Sequence, residues 1–195
     1  MKRLADIVGS MLALLILCPV LLIISLVVAT SSPGGVFFSQ IRVGKGGKNF
    51  KLLKFRTMAP DAEQSGQLTV GHRDPRITKV GVFLRKSKLD ELPQILNILA
   101  GSMSFVGPRP EVPKYVGMYT SEQRRVLAVR PGLTDVASLE YYQESELLAL
   151  ADDPEQTYIR EIMPQKLRLS LAYLEERRFG SDLVVFLRTL VRLFR

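Results

Sequence analysis

The sequence predicts an α+β, mainly helical domain behind an N-terminal membrane segment. Three observations predict it. No ionisable side chain other than Cys18 occurs from Ile7 to Ile41. Two strand-like stretches, Val36 to Val43 and Asn49 to Met58, flank the turn Gly44-Lys45-Gly46-Gly47-Lys48. Beyond Pro93 the pattern is mostly helical and ends in an amphipathic stretch. With 195 residues, 47% of them hydrophobic, the chain fits one compact domain plus a membrane element.

Ile7 to Ala29 is long and apolar enough to span a bilayer at about 1.5 Å per helical residue. A cleaved signal peptide is the weaker reading, because the run is long and no small-x-small site precedes Ser31-Ser32 clearly. Pro19, near the middle, lacks an N–H and should kink the helix. Lys2 and Arg3 precede the run; Arg42, Lys45, Lys48, Lys51 and Lys54 follow it. Basic flanks prefer the cytoplasmic side, and here both are basic. On these residues alone an ordinary span leads, with a re-entrant helix as the alternative.

The Gly-rich turn after Val43 carries lysines but lacks the spacing of a phosphate-binding P-loop, so it reads as the turn of a small β-hairpin. Asp61 to Gly71 is polar and reads as a loop, and Ile77 to Lys86 leads into an acidic pair. Pro93 to Ala100 reads as a short helix opened by proline and stopped by Gly101. Val112 to Val129 contains helical pieces ended by Arg130-Pro131-Gly132. Glu140 to Leu150 and Glu155 to Phe179 read as helices. Ser181 to Arg195 sets Leu183, Phe186, Leu187, Leu190, Val191 and Phe194 against Arg188, Arg192 and Arg195. That stripe suits packing on the domain or lying in a membrane interface.

The net charge of +8 is compatible with nucleic acid, an anionic membrane surface or a phosphorylated substrate. Aromatic residues are sparse, tryptophan is absent and no nucleic-acid motif occurs, so lipid and phosphate are preferred. A single cysteine, Cys18, excludes an intrachain disulfide and a Cys-rich zinc site. The one histidine, His72, sits beside Arg73 and Asp74 and reads as a loop residue.

Lys88-Leu89-Asp90-Glu91-Leu92-Pro93-Gln94 is the most informative run. Two adjacent carboxylates lie at or just before a helix N-terminus, where compensation of the helix dipole is the ordinary explanation. Arg85, Lys88 and Arg109 are close in sequence, the last within Gly107-Pro108-Arg109-Pro110. Together these groups supply what a nucleophilic carboxylate and a diphosphate need: cations, a divalent metal and positioned donors. A glycoside hydrolase is disfavoured, since neighbouring residues rarely give opposed carboxylates roughly 5 Å or more apart. A membrane-anchored, non-catalytic binding or scaffold protein is the remaining alternative.

With these motifs the chain resembles the bacterial monotopic phosphoglycosyl transferases, the bacterial sugar transferases of polyprenyl-phosphate pathways. The resemblance runs through Phe38-x-Gln40-x-Arg42-x-Gly44, Lys54-Phe55-Arg56-Thr57-Met58, Asp74-Pro75-Arg76-Ile77-Thr78 and Leu89-Asp90-Glu91-Leu92-Pro93-Gln94. It continues through Asn97, Gly101, Met103-Ser104-Phe105-Val106-Gly107-Pro108-Arg109-Pro110 and Arg130-Pro131-Gly132-Leu133-Thr134. The single apolar segment is similar to the minimal catalytic form. The resemblance implies a re-entrant membrane helix over residues 1–32, broken at Cys18-Pro19 where the family has Ser-Pro. It implies a cytoplasmic, membrane-associated catalytic domain over 33–195, with amphipathic interfacial helices around an active site at the inner-membrane surface. It thereby puts the re-entrant reading ahead of the ordinary span.

The implied reaction moves a phospho-sugar from a UDP-sugar to polyprenyl phosphate, with Mg²⁺ as cofactor, membrane lipids as surroundings and room for a homodimer. Asp90 would be the nucleophile and a metal contact, and Glu91 its catalytic partner. Lys54, Arg85 and Arg109 would bind phosphate. Asp182 matches a late acidic position of the family. Two departures fall elsewhere: Asp135-Val136-Ala137-Ser138 replaces the usual Gly-Trp/Leu-Ala-Gln, and Ser170 replaces the usual Asp of a late Leu-Asp.

Overall fold

The computed structural model describes residues 2–31, 34–60, 62, 68–71 and 74–193. His72, Arg73, Phe194, Arg195 and most of the predicted polar loop after Pro60 lie outside the described residues. Helix α1 (Lys2–Ser31) is apolar on nearly every side, and only Asp6, Ser10, Ile24 and Val28 are buried. Its most apolar stretch is 11% buried, so it is not a core helix; it is long and apolar enough to cross a membrane. Pro19 lies inside α1, which is helical on both sides of it, and Cys18 is exposed. The helix therefore runs uninterrupted through the expected break at Cys18-Pro19, a proline that membrane helices tolerate.

Both halves of α1 rest on the same domain. At the start, the Arg3 guanidinium donates to the carbonyls of Ile98 and Leu99 at 2.6 and 2.7 Å. These carbonyls lie at the end of α3 (Gln94–Ala100), where a cation suits the helix dipole; that of Ile98 also accepts the Gly101 N–H at 3.0 Å. Lys2 Nζ donates to the Val106 carbonyl at 2.7 Å. Asp6 Oδ1 accepts from Ser104 Oγ at 3.0 Å and from the Phe105 N–H at 3.2 Å. Further along, Ile24 and Val28 enter a core cluster with Phe55 and Leu84.

β1 (Phe37–Val43) and β2 (Asn49–Phe55) pair antiparallel, from Phe37 opposite Phe55 to Val43 opposite Asn49. The turn between them bends at Gly46 and Gly47, whose φ angles of 70° and 75° suit glycine. This is the predicted hairpin, with the second strand ending earlier than Met58, which instead bridges to Ile77. α2 (Lys79–Lys86) follows, capped by Thr78 Oγ1 at 2.9 Å from the Gly81 N–H.

β3 (Ser104–Val106) pairs in parallel with β4 (Gly132–Thr134). This second pair was not predicted; three-residue strands carry too little alternation to be seen. Between them lie α4 (Pro113–Val116) and a 3₁₀ turn over Gln123–Ala128. Then come α5 (Val136–Glu140), α6 (Glu144–Ala149), α7 (Pro154–Thr157), a π turn over Tyr158–Ile162, α8 (Met163–Glu175) and α9 (Phe179–Leu193). The predicted long helix Glu155 to Phe179 is therefore interrupted, and the last helix begins two residues before the predicted start. The largest core cluster gathers Val112, Tyr115, Tyr119, Val126, Leu148, Tyr158, Ile162 and Leu167 from these pieces.

Asn97 joins α3 to the hairpin. Its Oδ1 accepts from the Leu53 N–H at 2.9 Å, and its Nδ2 donates to the Lys51 carbonyl at 2.8 Å. Asn97→Ala leaves both backbone groups without their partner in a buried place. We expect it to lower stability by about 2–4 kcal/mol, read from urea melts of the detergent-solubilised chain; an unchanged midpoint would contradict this role.

Candidate active site

Asp90 and Glu91 lie on a single 3₁₀ turn, Leu89–Glu91. Lys88, just before it, holds a left-handed backbone with φ 57°. For a residue with a long side chain this is a sparsely populated conformation, of the kind found where a site fixes its geometry. Leu89 and Leu92 pack into the Phe55–Leu84 cluster. The apolar neighbours thus anchor the turn, and Asp90 and Glu91 line a cavity of about 830 Å³.

The two carboxylates are treated differently. Glu91 Oε1 receives Lys54 Nζ from β2 at 2.8 Å and Arg109 Nη2 at 2.5 Å, and Arg109 Nη1 reaches Oε2 at 3.3 Å. Burial pushes the Glu91 carboxyl upward, but Arg109 and Lys54 outweigh it and hold the group well below its ordinary range. Arg109 is in turn raised, chiefly by Glu91. Asp90 is 5% exposed and has no hydrogen-bond or ion-pair partner among the described residues. Burial raises its pKa, against the lowering pull of Lys54.

The structure therefore brings Asp90, Glu91, Lys54 and Arg109 together. Arg85 lines the same cavity, with Nε on Thr57 Oγ1 at 2.9 Å and Nη1 on Thr69 Oγ1 at 3.0 Å. Asp182 does not line it. It accepts from Lys2, Tyr173 and Arg177, and so ties the start of α1 to α9. Cys18 and Pro19 also lie away from the cavity. Ala13 and Leu17 of α1, with Phe186 and Leu190 of α9, supply an apolar wall facing the polar turn.

Lys88 and Arg192 figure in the sequence reading, but their meeting on one ring does not, and Glu111 was missed. Lys88 and Arg192 both stand over the Tyr142 ring, each 5.1 Å from its centre. Glu111 accepts from Arg42 Nη1 at 3.1 Å and from the Tyr158 hydroxyl. Its place beside Arg109-Pro110 was the available signal. Ser138 Oγ is buried at the cavity wall without a hydrogen-bond partner among the described residues.

Comparison with known proteins fits this arrangement. The family model described as bacterial sugar transferase matches residues 1–195. The chain belongs to the bacterial sugar transferase family. It is 39% identical over 197 residues to the UDP-glucose:undecaprenyl-phosphate glucose-1-phosphate transferase of Escherichia coli (strain K12), covering 96% of this chain and 39% of that protein. It is 39% identical over 143 residues to the UDP-N-acetylgalactosamine-undecaprenyl-phosphate N-acetylgalactosaminephosphotransferase of Aeromonas hydrophila, covering 71% of this chain and 33% of that protein. It is 43% identical over 148 residues to exopolysaccharide production protein ExoY of Rhizobium meliloti (strain 1021), covering 68% of this chain and 66% of that protein. The chain thus spans well under half of the first two relatives. Within this bacterial sugar transferase, the two positions read from the sequence as departures touch: Ser170 Oγ donates to Asp135 Oδ2 at 3.2 Å.

The dyad's charge states have opposite consequences for stability. Asp90's folded pKa is raised above its ordinary 3.8, so its favourable contribution is complete at low pH and lost as pH rises through the folded value. Glu91's is lowered below 4.5, so its contribution is present at pH 7 and lost as pH falls below about 4.5 through the folded value. At pH 7, Asp90→Asn should therefore stabilise the protein by about 1 kcal/mol. Glu91→Gln should destabilise it by about 2 kcal/mol, the cost of a broken buried pair discounted for the partly exposed Arg109. Thermal melts of both variants check this; shifts of the same sign would refute the division of the two carboxylates.

Proposed function

We propose that this chain transfers a phospho-sugar from a UDP-sugar to polyprenyl phosphate, giving a polyprenyl-diphosphate sugar and UMP. The observation that carries the reading is the unpaired, buried Asp90 beside a Glu91 held by two cations. Desolvation and the absence of competing hydrogen bonds leave the Asp90 carboxylate available as a nucleophile. One of its oxygens attacks the phosphorus next to the sugar. The new O–P bond forms as the bridging P–O bond breaks, and UMP leaves with the bridging oxygen. A lipid phosphate oxygen then attacks the same phosphorus and frees Asp90.

Lys54, Arg109 and Arg85 meet the charge of the diphosphate. A carboxylate approaching an anionic phosphorus is repelled, and cations at hydrogen-bond range offset that repulsion. Glu91 gains a second role from the same contacts. As phosphates take over Arg109 and Lys54, the force depressing Glu91 weakens, and it becomes a better acceptor for a proton on the lipid phosphate. Among the described residues no group of three or more His, Cys, Asp or Glu could hold a metal. Mg²⁺ is commonly held by one or two carboxylates plus substrate phosphates, so Asp90 fits a shared site of that kind. Mg²⁺ so bound would offset phosphate charge.

The names of the relatives support undecaprenyl phosphate as acceptor and a UDP-sugar as donor. Their sugars differ, so the donor sugar is left open. We include in the proposal a bacterial inner-membrane location, with α1 re-entrant and the domain on the cytoplasmic face. Its support is that Lys2, Arg3 and Asp6 at one end, and Ile24 and Val28 towards the other, all pack on one domain. A through-span would separate those contacts.

The test is UMP release from a panel of UDP-sugars, including UDP-glucose and UDP-N-acetylgalactosamine, with undecaprenyl phosphate and Mg²⁺. At least one donor should be turned over. Asp90→Asn should lower turnover by at least about 10³-fold, and Arg109→Ala or Lys54→Ala by about 10²-fold. No turnover with any donor would contradict the function. A cysteine added at the N-terminus should resist an impermeant thiol reagent in intact cells; labelling there would contradict the re-entrant topology.

A further inference from the structure

Arg109 stands between Pro108 and Pro110, neither of which has an N–H. The backbone on either side is held by others: the Gly107 N–H donates to the Thr134 carbonyl and the Gly132 N–H to the Pro108 carbonyl, each at 3.0 Å. The Pro110 carbonyl accepts from Arg42 Nη1 at 3.0 Å. The Arg109 N–H itself is taken by a side chain, Asp135 Oδ2, at 3.2 Å. Asp135 is 2% exposed. Its other oxygen accepts the Ser138 N–H at 2.7 Å as the cap of α5. Oδ2 also receives Ser170 Oγ from α8.

An N-cap needs one oxygen and is usually exposed, whereas burying a carboxylate is costly unless each oxygen is used. Here both are used, and one holds the turn that aims Arg109. No cation contacts Asp135 among the described residues, so its partners are donors whose positions it fixes.

We propose that Asp135 is a positioning residue for the transfer reaction. It locks the Pro108-Arg109-Pro110 turn so that the guanidinium falls on Glu91 and the incoming phosphates. Ser170 completes its hydrogen bonds, and a carboxylate placed at position 170 would reach the same site from α8. This inference rests on the function proposed above for its kinetic part, while its structural part is independent of it.

The experiment compares wild type, Asp135→Asn, Asp135→Gly, Ser170→Asp and the double variant Asp135→Gly/Ser170→Asp as full-length, detergent-solubilised protein. Hydrogen exchange is followed by mass spectrometry in the peptide containing Arg109, and UMP release is followed in parallel. Asp135→Gly should speed exchange at the Arg109 amide by about 10-fold and lower kcat by about 10–100-fold, with the donor KM within about 3-fold of wild type. Asp135→Asn, which keeps one acceptor and a side chain at the cap, should fall between. Ser170→Asp alone sets two carboxylates in contact and should also lower kcat. The double variant should recover protection and return kcat to within about 5-fold of wild type. A double variant no better than Asp135→Gly, while melting at the wild-type temperature, would overturn the proposal. So would unchanged Arg109 exchange in Asp135→Gly and Asp135→Asn, whatever their turnover. A wild-type chain inactive on every donor would count against the function alone, because the exchange data still decide the positioning role.

Discussion

Glu91 is the point on which the site's parts converge. Lys54 comes from the hairpin, Arg109 from the turn after β3, and both end on one carboxylate. A buried carboxylate without partners would be driven to protonate; with two cations it stays ionised and fixes the elements that carry them. The adjacent Asp90 then differs from Glu91 by contacts rather than by chemistry. It feels the field of Lys54, and of Arg85 and Lys88, but pairs with none of them, so its electrons remain accessible from the cavity. Two carboxylates on one turn, pushed in opposite directions by their surroundings, are a common way of dividing nucleophile from assistant.

The cavity faces two kinds of matter. One wall is the charged turn, and the other includes Ala13 and Leu17 of α1 and Phe186 and Leu190 of α9. A lipid phosphate has the same duality, with an anionic head and an apolar chain. Around this wall α1 leaves Leu12, Leu15, Ile16, Leu22, Ile23 and Leu26 exposed, and α9 leaves Leu183, Leu187 and Val191 exposed. The Asp182 cluster of Lys2, Tyr173 and Arg177 joins the two helices, so their apolar faces are held in a fixed relation to the polar turn.

Much of this was legible from residue patterns. The hairpin was readable because glycines punctuate two alternating strands, and the α3 helix because Pro93 and Gly101 bracket an apolar run. The dyad and its basic neighbours were readable from their motifs. What stayed hidden depends on pairing across the chain. The β3–β4 pair joins segments about 28 residues apart by three residues each. Close approach there excludes a side chain at Gly132, where a Cβ would stand 2.1 Å from the Gly107 nitrogen. Asp135 and Ser170 read as separate departures until folding set them in contact. Asp182 carried an acidic motif position, and its contacts make it a clamp between helices. The unequal treatment of Asp90 and Glu91 is likewise a matter of which oxygen the cations reach, and no linear pattern encodes that.

The central claim is that Asp90 is the free nucleophile of the pair. It is tested most directly by giving the wild-type protein an accepted UDP-sugar and Mg²⁺ without lipid, then examining the Asp90 peptide by mass spectrometry. The account predicts about one phospho-sugar on Asp90 per active site and an equal amount of UMP, as a two-step displacement requires. An unmodified Asp90 peptide, with UMP formed only when lipid phosphate is present, would contradict it and favour direct transfer between the two substrates.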